Sequence, residues 1–358
     1  MKTLPHFLTL LVCSAAFTGS ALAQTNTAPV GFLTYSFPAT ATATTSYLST
    51  PLGTSVLFSG KASGVSANVL AAEVAGWQVN EFISAGTNSR PSFLRITSGA
   101  QVGRVLRIVA NDASTLTLDV TDESAQTTAL NATGFALAVG DSFEISAAHT
   151  LRTALGEGAN AFPGQGASLA AAGGIGLWNA ALRKFDYFYW STTQAQWVKD
   201  GAGTNLDAGG TVLPPNATLA VFRPAGQPAD SIILTGRAAT VAPLLKHSGA
   251  SSVRYSGMHV PVAMTLSQVS LGSNWVRGTS AFTADTLSLP DGTTTVNGVI
   301  TPKWAAYFQL ASGEWRKSGS SANQNSTVIP AGSAVAFLKR ASVTGSGSFL
   351  ALPLPYTP

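Results

Sequence analysis

Histidines are the scarcest of the residues that could do chemistry: after residue 23 the chain has only His149, His247 and His259. A Ser-His-acid triad would have to use one of them, yet no Gly-x-Ser-x-Gly elbow and no Ser-x-x-Lys pair supplies a nucleophile. Each therefore reads as a surface or hydrogen-bonding histidine. His247 and His259 stand too far apart for a His-Glu-x-x-His zinc pair. Calcium takes oxygen ligands from loops, and Asp119-Val120-Thr121-Asp122-Glu123 and the stretch from Asp200 to Asp207 are the candidates. Neither has the alternating acids, central glycine and terminal glutamate of a calcium loop, so both read as turn-forming acids. Gly164-Gln165-Gly166 lacks the third glycine of a dinucleotide fingerprint, and no Gly-Lys-Ser/Thr ending makes a phosphate loop. The expectation is no catalytic residue, no metal and no cofactor.

Glycoside hydrolysis needs two carboxylates facing each other across a cleft, and sixteen acidic residues leave many pairs open. Asp186 stands out because it lies within Phe185-Asp186-Tyr187-Phe188-Tyr189-Trp190, where rings beside a carboxylate resemble a sugar platform. Strand alternation gives the competing account. It sends Phe185, Tyr187 and Tyr189 to one face and Asp186, Phe188 and Trp190 to the other, as in a buried sheet. Trp190, Trp197, Trp304 and Trp315 are the candidate ligand-stacking residues, provided that they are exposed.

The elements that would position these groups are strands. Charged residues make up only 10% of the chain, while Gly, Ser, Thr and Ala are abundant, which favours β-structure with many turns over long helices. Phe93 to Thr97, Gly103 to Ala110 and Thr115 to Val120 form a meander separated by Ser98-Gly99 and Asn111-Asp112. Leu116, Leu118 and Val120 share one face of its last strand. Phe135 to Val139 and Phe143 to Ile145 read as a further hairpin about Gly140-Asp141, and His149 to Leu155 as a short helix stopped by Gly156. Gly156 to Gly176 is rich in glycine and reads as a long loop or linker.

A pattern recurs about 115 to 120 positions on. Tyr187-Phe188, Gln196-Trp197-Val198-Lys199, Thr211-Val212-Leu213-Pro214 and Val221-Phe222-Arg223 form the first copy. Tyr307-Phe308, Glu314-Trp315-Arg316-Lys317, Thr327-Val328-Ile329-Pro330 and Ala336-Phe337-Leu338 form the second, without the arginine. Short apolar strands, Ile175 to Trp178 and Thr286 to Leu289, precede the copies. A looser echo relates Tyr47 to Phe58 and Tyr255 to Leu266. The expected fold is all-β: two related antiparallel sandwich or small-barrel domains with short helices. Residues 24–240 would carry the first module (about 175–223) and an extra strand-rich stretch (about 90–150). Residues 241–358 would carry the second module (about 286–338).

Residues 1–23 read as a cleavable signal peptide. Lys2 supplies the positive end, Phe7 to Phe17 an apolar core too short to span a bilayer, and Ala21 and Ala23 the small residues for cleavage before Gln24. Val12 precedes Cys13 where a lipobox needs a small residue, so a lipid anchor is excluded. Cys13 is the only cysteine, which leaves none to the mature chain. The formal charge of +4 is not concentrated in any basic run. Arg95, Arg104 and Arg107 come nearest to a cluster and read as a solvated strand face, so nucleic acid is not an expected partner.

Several of these segments together resemble an uncharacterised family of exported β-rich proteins of the verrucomicrobial type. They are Leu94-Arg95-Ile96-Thr97-Ser98-Gly99 with Gly103-Arg104, Val139-Gly140-Asp141-Ser142-Phe143-Glu144-Ile145, His149-Thr150-Leu151, and the module from Tyr187 to Arg223. The resemblance spans most of the mature chain and implies export and architecture, with no activity to carry over. The leading reading is a non-catalytic structural or interaction protein of the cell envelope or extracellular space, without a membrane anchor and with polysaccharide or an envelope protein as partner. A carbohydrate-binding protein and a glycoside hydrolase with an unidentified carboxylate pair are the alternatives.

Overall fold

The computed structural model describes residues 30–83, 90–121, 127–179, 181–202, 206–215, 217–247, 253–258, 260–269, 271, 274–341 and 349–356. The signal segment with Ala21 and Ala23, and His259, lie outside them. The fold is all-β, with two short helices among the described residues.

In chain order the first strands are β1 (Val30–Phe37) and β2 (Thr44–Ser49). Then come β3 (Val56–Val65), β4 (Val69–Ala72), β5 (Ser92–Ile96), β6 (Val105–Asn111), β7 (Thr115–Leu118) and β8 (Ser142–Ala147). These last six close into a barrel in the order β3-β4-β7-β6-β5-β8. Alternation fills it, with Leu106 and Ile108 of β6 and Leu116 and Leu118 of β7 pointing inward and Arg107 and Thr117 outward. Trp77, Phe82, Leu130 and Leu137 pack into the same core. The barrel begins at Val56, well before the strand-rich stretch evident in the sequence. The expected hairpin partner of β8 is absent: Phe135 to Val139 runs through turns, and its Leu137 serves as packing for the barrel.

The remainder forms a framework. Its first half continues through β9 (His149–Thr150), α1 (Leu151–Leu155), β10 (Gln165–Gly166), α2 (Leu169–Ala172), β11 (Gly174–Asn179) and β12 (Lys184–Ser191). β13 (Gln196–Lys199), β14 (Val212–Leu213), β15 (Thr218–Arg223) and β16 (Asp230–Arg237) complete it. The second half holds β17 (Leu244–Lys246), β18 (Val253–Gly257), β19 (Met264–Thr265), β20 (Thr286–Val296) and β21 (Val299–Gln309). It ends with β22 (Trp315–Lys317), β23 (Val328–Ile329), β24 (Ala334–Leu338) and β25 (Phe349–Ala351). Gly156 to Gly176 is not a linker: Phe162 and Ala172 are buried in it, and β10 adds to β12.

One eleven-stranded sheet runs through both halves. Its path holds β12-β11-β15-β2 and then β21-β20-β24-β18, joined by a parallel contact between β2 and β21 at Thr44 and Ile300. β13 adds to β12 as β22 adds to β21, and the pairs β14-β9 and β1-β16 are matched by β23-β19 and β25-β17. Thr150 and Thr265 each close a capping box on the turn that follows. Between β18 and β19 only residues 258–263 intervene, whereas the whole barrel lies between β2 and β9.

The pairings correct the correspondence read from the sequence by one residue. Lys199 faces Phe188 and Lys317 faces Tyr307, while Ile175 faces Val221 and Leu287 faces Phe337. Phe188 therefore corresponds to Tyr307, and Arg223 to Lys339. Adjacent aromatic residues made the shifted match look good, but a one-residue slip would turn every side chain to the wrong face. The base that the second copy had lacked is present, and both are buried: Arg223 is 2% exposed and Lys339 0%.

Candidate functional site

The candidate stacking tryptophans do not form a platform. Trp190, Trp197 and Trp315 are only 8%, 0% and 0% exposed, and they belong to the cores behind the shared sheet. Trp197 Nε1 donates to the Gly156 carbonyl at 2.9 Å, an inward hydrogen bond that fixes the indole in the core. Alternation accounts for this, because Phe188, Trp190 and Trp197 share the face that meets α1 and the β1-β16 ribbon.

Trp304 alone of the four is half-buried, and it lies on the opposite face of the sheet. There Tyr47 and Tyr255 stack with centroids 6.3 Å apart and planes 15° from parallel. Trp304 lies 5.3 Å from Tyr47, and its counterpart Phe185 lies 5.6 Å from the same ring. Trp178 closes the cluster at 4.7 Å from Tyr255. The other rings meet tilted or edge-on, and together they clasp the two halves. Burial pushes the Tyr47 hydroxyl up to about 12.

Asp186 is paired rather than poised. Lys199 Nζ donates to it at 2.8 Å and Asn179 Nδ2 at 2.9 Å. Desolvation alone would raise its pKa, but these hydrogen bonds hold it below the ordinary carboxylate value, which is the wrong direction for a general acid. Burial pushes the His149 pKa down, opposed by a hydrogen bond with the Leu52 backbone. His247 is 2% exposed, with a ring nitrogen 3.3 Å from the Phe337 carbonyl, and burial first, then the Arg254 charge, push it down to about 4. Among the described residues no three His, Cys, Asp or Glu side chains converge as metal ligands would.

The place where polar groups do converge is a cleft of about 390 Å³ between the barrel and the framework. The barrel contributes Arg104, Arg107, Asp119 and Thr121, the first half Pro214 and Pro215, and the second half Leu244, Lys246, Arg254 and Phe349. Its rear wall is built by close approach. Gly103 has φ +87°, and a Cβ there would stand 1.9 Å from the Ala242 carbonyl oxygen, so glycine is required twice over. Leu244 N–H donates to the Gly103 carbonyl at 3.1 Å, and Lys246 Nζ to the Val120 carbonyl at 2.9 Å. Arg254 in turn donates to the Lys246 carbonyl.

Arg104 is the central group. It is 2% exposed, its guanidinium lies 5.1 Å over the Phe349 ring, and it donates to Gln101 Oε1 and the Thr128 carbonyl, each at 2.6 Å. Its Nε has no hydrogen-bond partner. Desolvation pulls its pKa to about 10, and no described carboxylate relieves it. Arg95 is half-buried beside Glu144 and Arg237, and only Arg107 of the three arginines is exposed. The solvated strand face expected for them holds for Arg107 and is corrected for Arg95 and Arg104: Arg104 is buried against Gln101, Thr128 and Phe349, and Arg95 is half-buried. No local motif marks this cleft in the sequence, because its residues come from three distant stretches. The spacing of Arg95, Arg104 and Arg107 was the one available hint.

No family model, no curated protein and no solved structure matches this chain.

Proposed function

We propose that this chain is an exported, non-catalytic β-rich interaction protein of the cell envelope or extracellular space, and that it holds its ligand in the cleft between barrel and framework. The cleft carries the reading. It is of the size that encloses small ligands, carries apolar lining from Leu244 and Phe349, and gathers a few polar groups from stretches distant in sequence. The pairing of Asp186 supports binding over glycoside hydrolysis. The burial of Trp190, Trp197 and Trp315 removes the stacking platform on which a flat-surface carbohydrate reading relied. The matched strand order of the two halves supports their origin as repeats, with the barrel inserted into the first.

The reading is tested in two steps. Mass spectrometry of protein recovered from outside the cytoplasm is expected to find a chain that begins at Gln24; a chain retained inside with Met1 intact refutes export. Purified residues 24–358 are then offered soluble envelope polysaccharide. Retention without release of reducing ends, abolished by Thr121→Trp across the cleft mouth, supports the reading, whereas release of reducing ends revives hydrolysis.

A further inference from the structure

One buried pair in the second half is built from groups that can react with each other. Lys339 follows β24 and Asp285 precedes β20, the neighbouring strand, and neither side chain has any exposed surface. Lys339 Nζ donates to Asp285 Oδ2 and to the Asn274 carbonyl, and it stands 5.8 Å from the centre of the Trp275 ring. Arg340 N–H donates to Asp285 Oδ1 at 2.7 Å and Val276 N–H to Oδ2 at 2.8 Å. These backbone donors hold the carboxyl in place and face the oxygens on which charge develops when a nucleophile adds to its carbon. The first half shows what packing alone requires here. Its base is Arg223, which donates to the carbonyls of Pro38 and Pro228, and Gly173 stands at the position of Asp285. A guanidinium stays protonated and does not acylate, and carbonyls suffice to receive it. The second half differs at both positions together, and so sets an amine against a carboxyl.

We infer that Lys339 and Asp285 condense to an amide, an internal cross-link between the start of β20 and the end of β24. One proton passes from the ammonium to Oδ2 along their hydrogen bond, which leaves an amine beside a carboxylic acid. Nζ then adds to Cγ while Oδ1 takes the negative charge against Arg340 N–H. The bond from Cγ to Oδ2 breaks as that oxygen leaves with a second Nζ proton, as water. No oxidant or further reactant enters the balance. Contact between the two groups raises their effective concentration far above that of a free amine and acid. Full burial keeps solvent from the amide once it has formed. After residue 23 the chain has no cysteine, so a disulfide cannot serve the same end.

The test is the intact mass of the natural chain, purified folded and then denatured. It is expected to weigh one water less than the sequence from its observed first residue, and Lys339→Met and Asp285→Ala are each expected to show the full mass. A variant that fails to fold would show the full mass too, so a protease digest of the natural chain is also sequenced by fragmentation. The peptide carrying Lys339 is expected to be joined to the one carrying Asp285. Asp291-Gly292 can lose a water by closing on its own backbone. A deficit that maps there, with Lys339 in an unjoined peptide, overturns the inference, and so does a natural chain of full mass.

Discussion

Acid should loosen this protein through His247. The imidazole is buried against the Phe337 carbonyl and faces Arg254 and Lys339, with Asp285 as the opposing charge. Burial holds its pKa near 4, against 6.5 for an ordinary histidine. Above pH 6.5 neither folded nor unfolded chain carries the proton, and the group has no effect on stability. As pH falls below 6.5 the unfolded chain takes up a proton that the folded chain refuses, so stability declines until the folded pKa is reached near 4. The gap corresponds to about 3 kcal/mol in all, of which about 2.5 kcal/mol is lost between about pH 7.5 and about pH 4.5. Urea unfolding of the natural chain and of His247→Gln at both pH values isolates the term, since carboxylates and His149 titrate alike in the two proteins. The natural chain should lose about 2.5 kcal/mol more than the variant. Parallel losses would refute the assignment, because then the imidazole is not held neutral by its surroundings.

Other substitutions probe the remaining architecture. Trp197→Ala should cost about 3–5 kcal/mol in denaturant unfolding, since it empties a fully buried site; a change confined to ligand binding would contradict its place in the core. Lys339→Met strands the buried Asp285 carboxylate, which also accepts from Val276 N–H at 2.8 Å and Arg340 N–H at 2.7 Å. It should cost about 3–5 kcal/mol in denaturant unfolding, and unaltered stability would refute the pair. Gly103→Ala should release the barrel from residues 242–246, seen as faster proteolysis there while the barrel stays folded. Unchanged cleavage would show that the close approach carries no docking energy.

Local structure was more legible than assembly. Alternation in Thr115 to Leu118 and the glycine at position 156, φ +77°, announced β7 and the end of α1, because their causes lie within a few residues. The same alternation put Phe188 and Trp190 on one face, which the structure buries, and the recurrence of Trp197 as Trp315 favoured core over the stacking role also open to these tryptophans. The barrel could not be read, since closure depends on β3 meeting β8 across some eighty residues of chain. Phe135 to Val139 mimicked a strand because apolar residues that plug a barrel end share its composition. The cleft was least visible: Arg104 and Arg254 are 150 positions apart, and nothing short of the docked barrel brings them together.

The ends of the barrel leave the framework side by side. Val56 pairs with Ser146, and Thr54 Oγ1 donates to the Ala147 carbonyl at 2.5 Å. In the other half the corresponding gap is closed by residues 258–263 alone. Such a doorway tolerates exchange: a cassette entering and leaving through one strand pair can be lost, replaced or remodelled while the surrounding framework keeps its strand order. Because that cassette furnishes one wall of the cleft, editing a single contiguous stretch of gene reshapes the cleft. The clasp of Tyr47 against Tyr255 stays untouched, and change in the cleft is thereby separated from the upkeep of the fold.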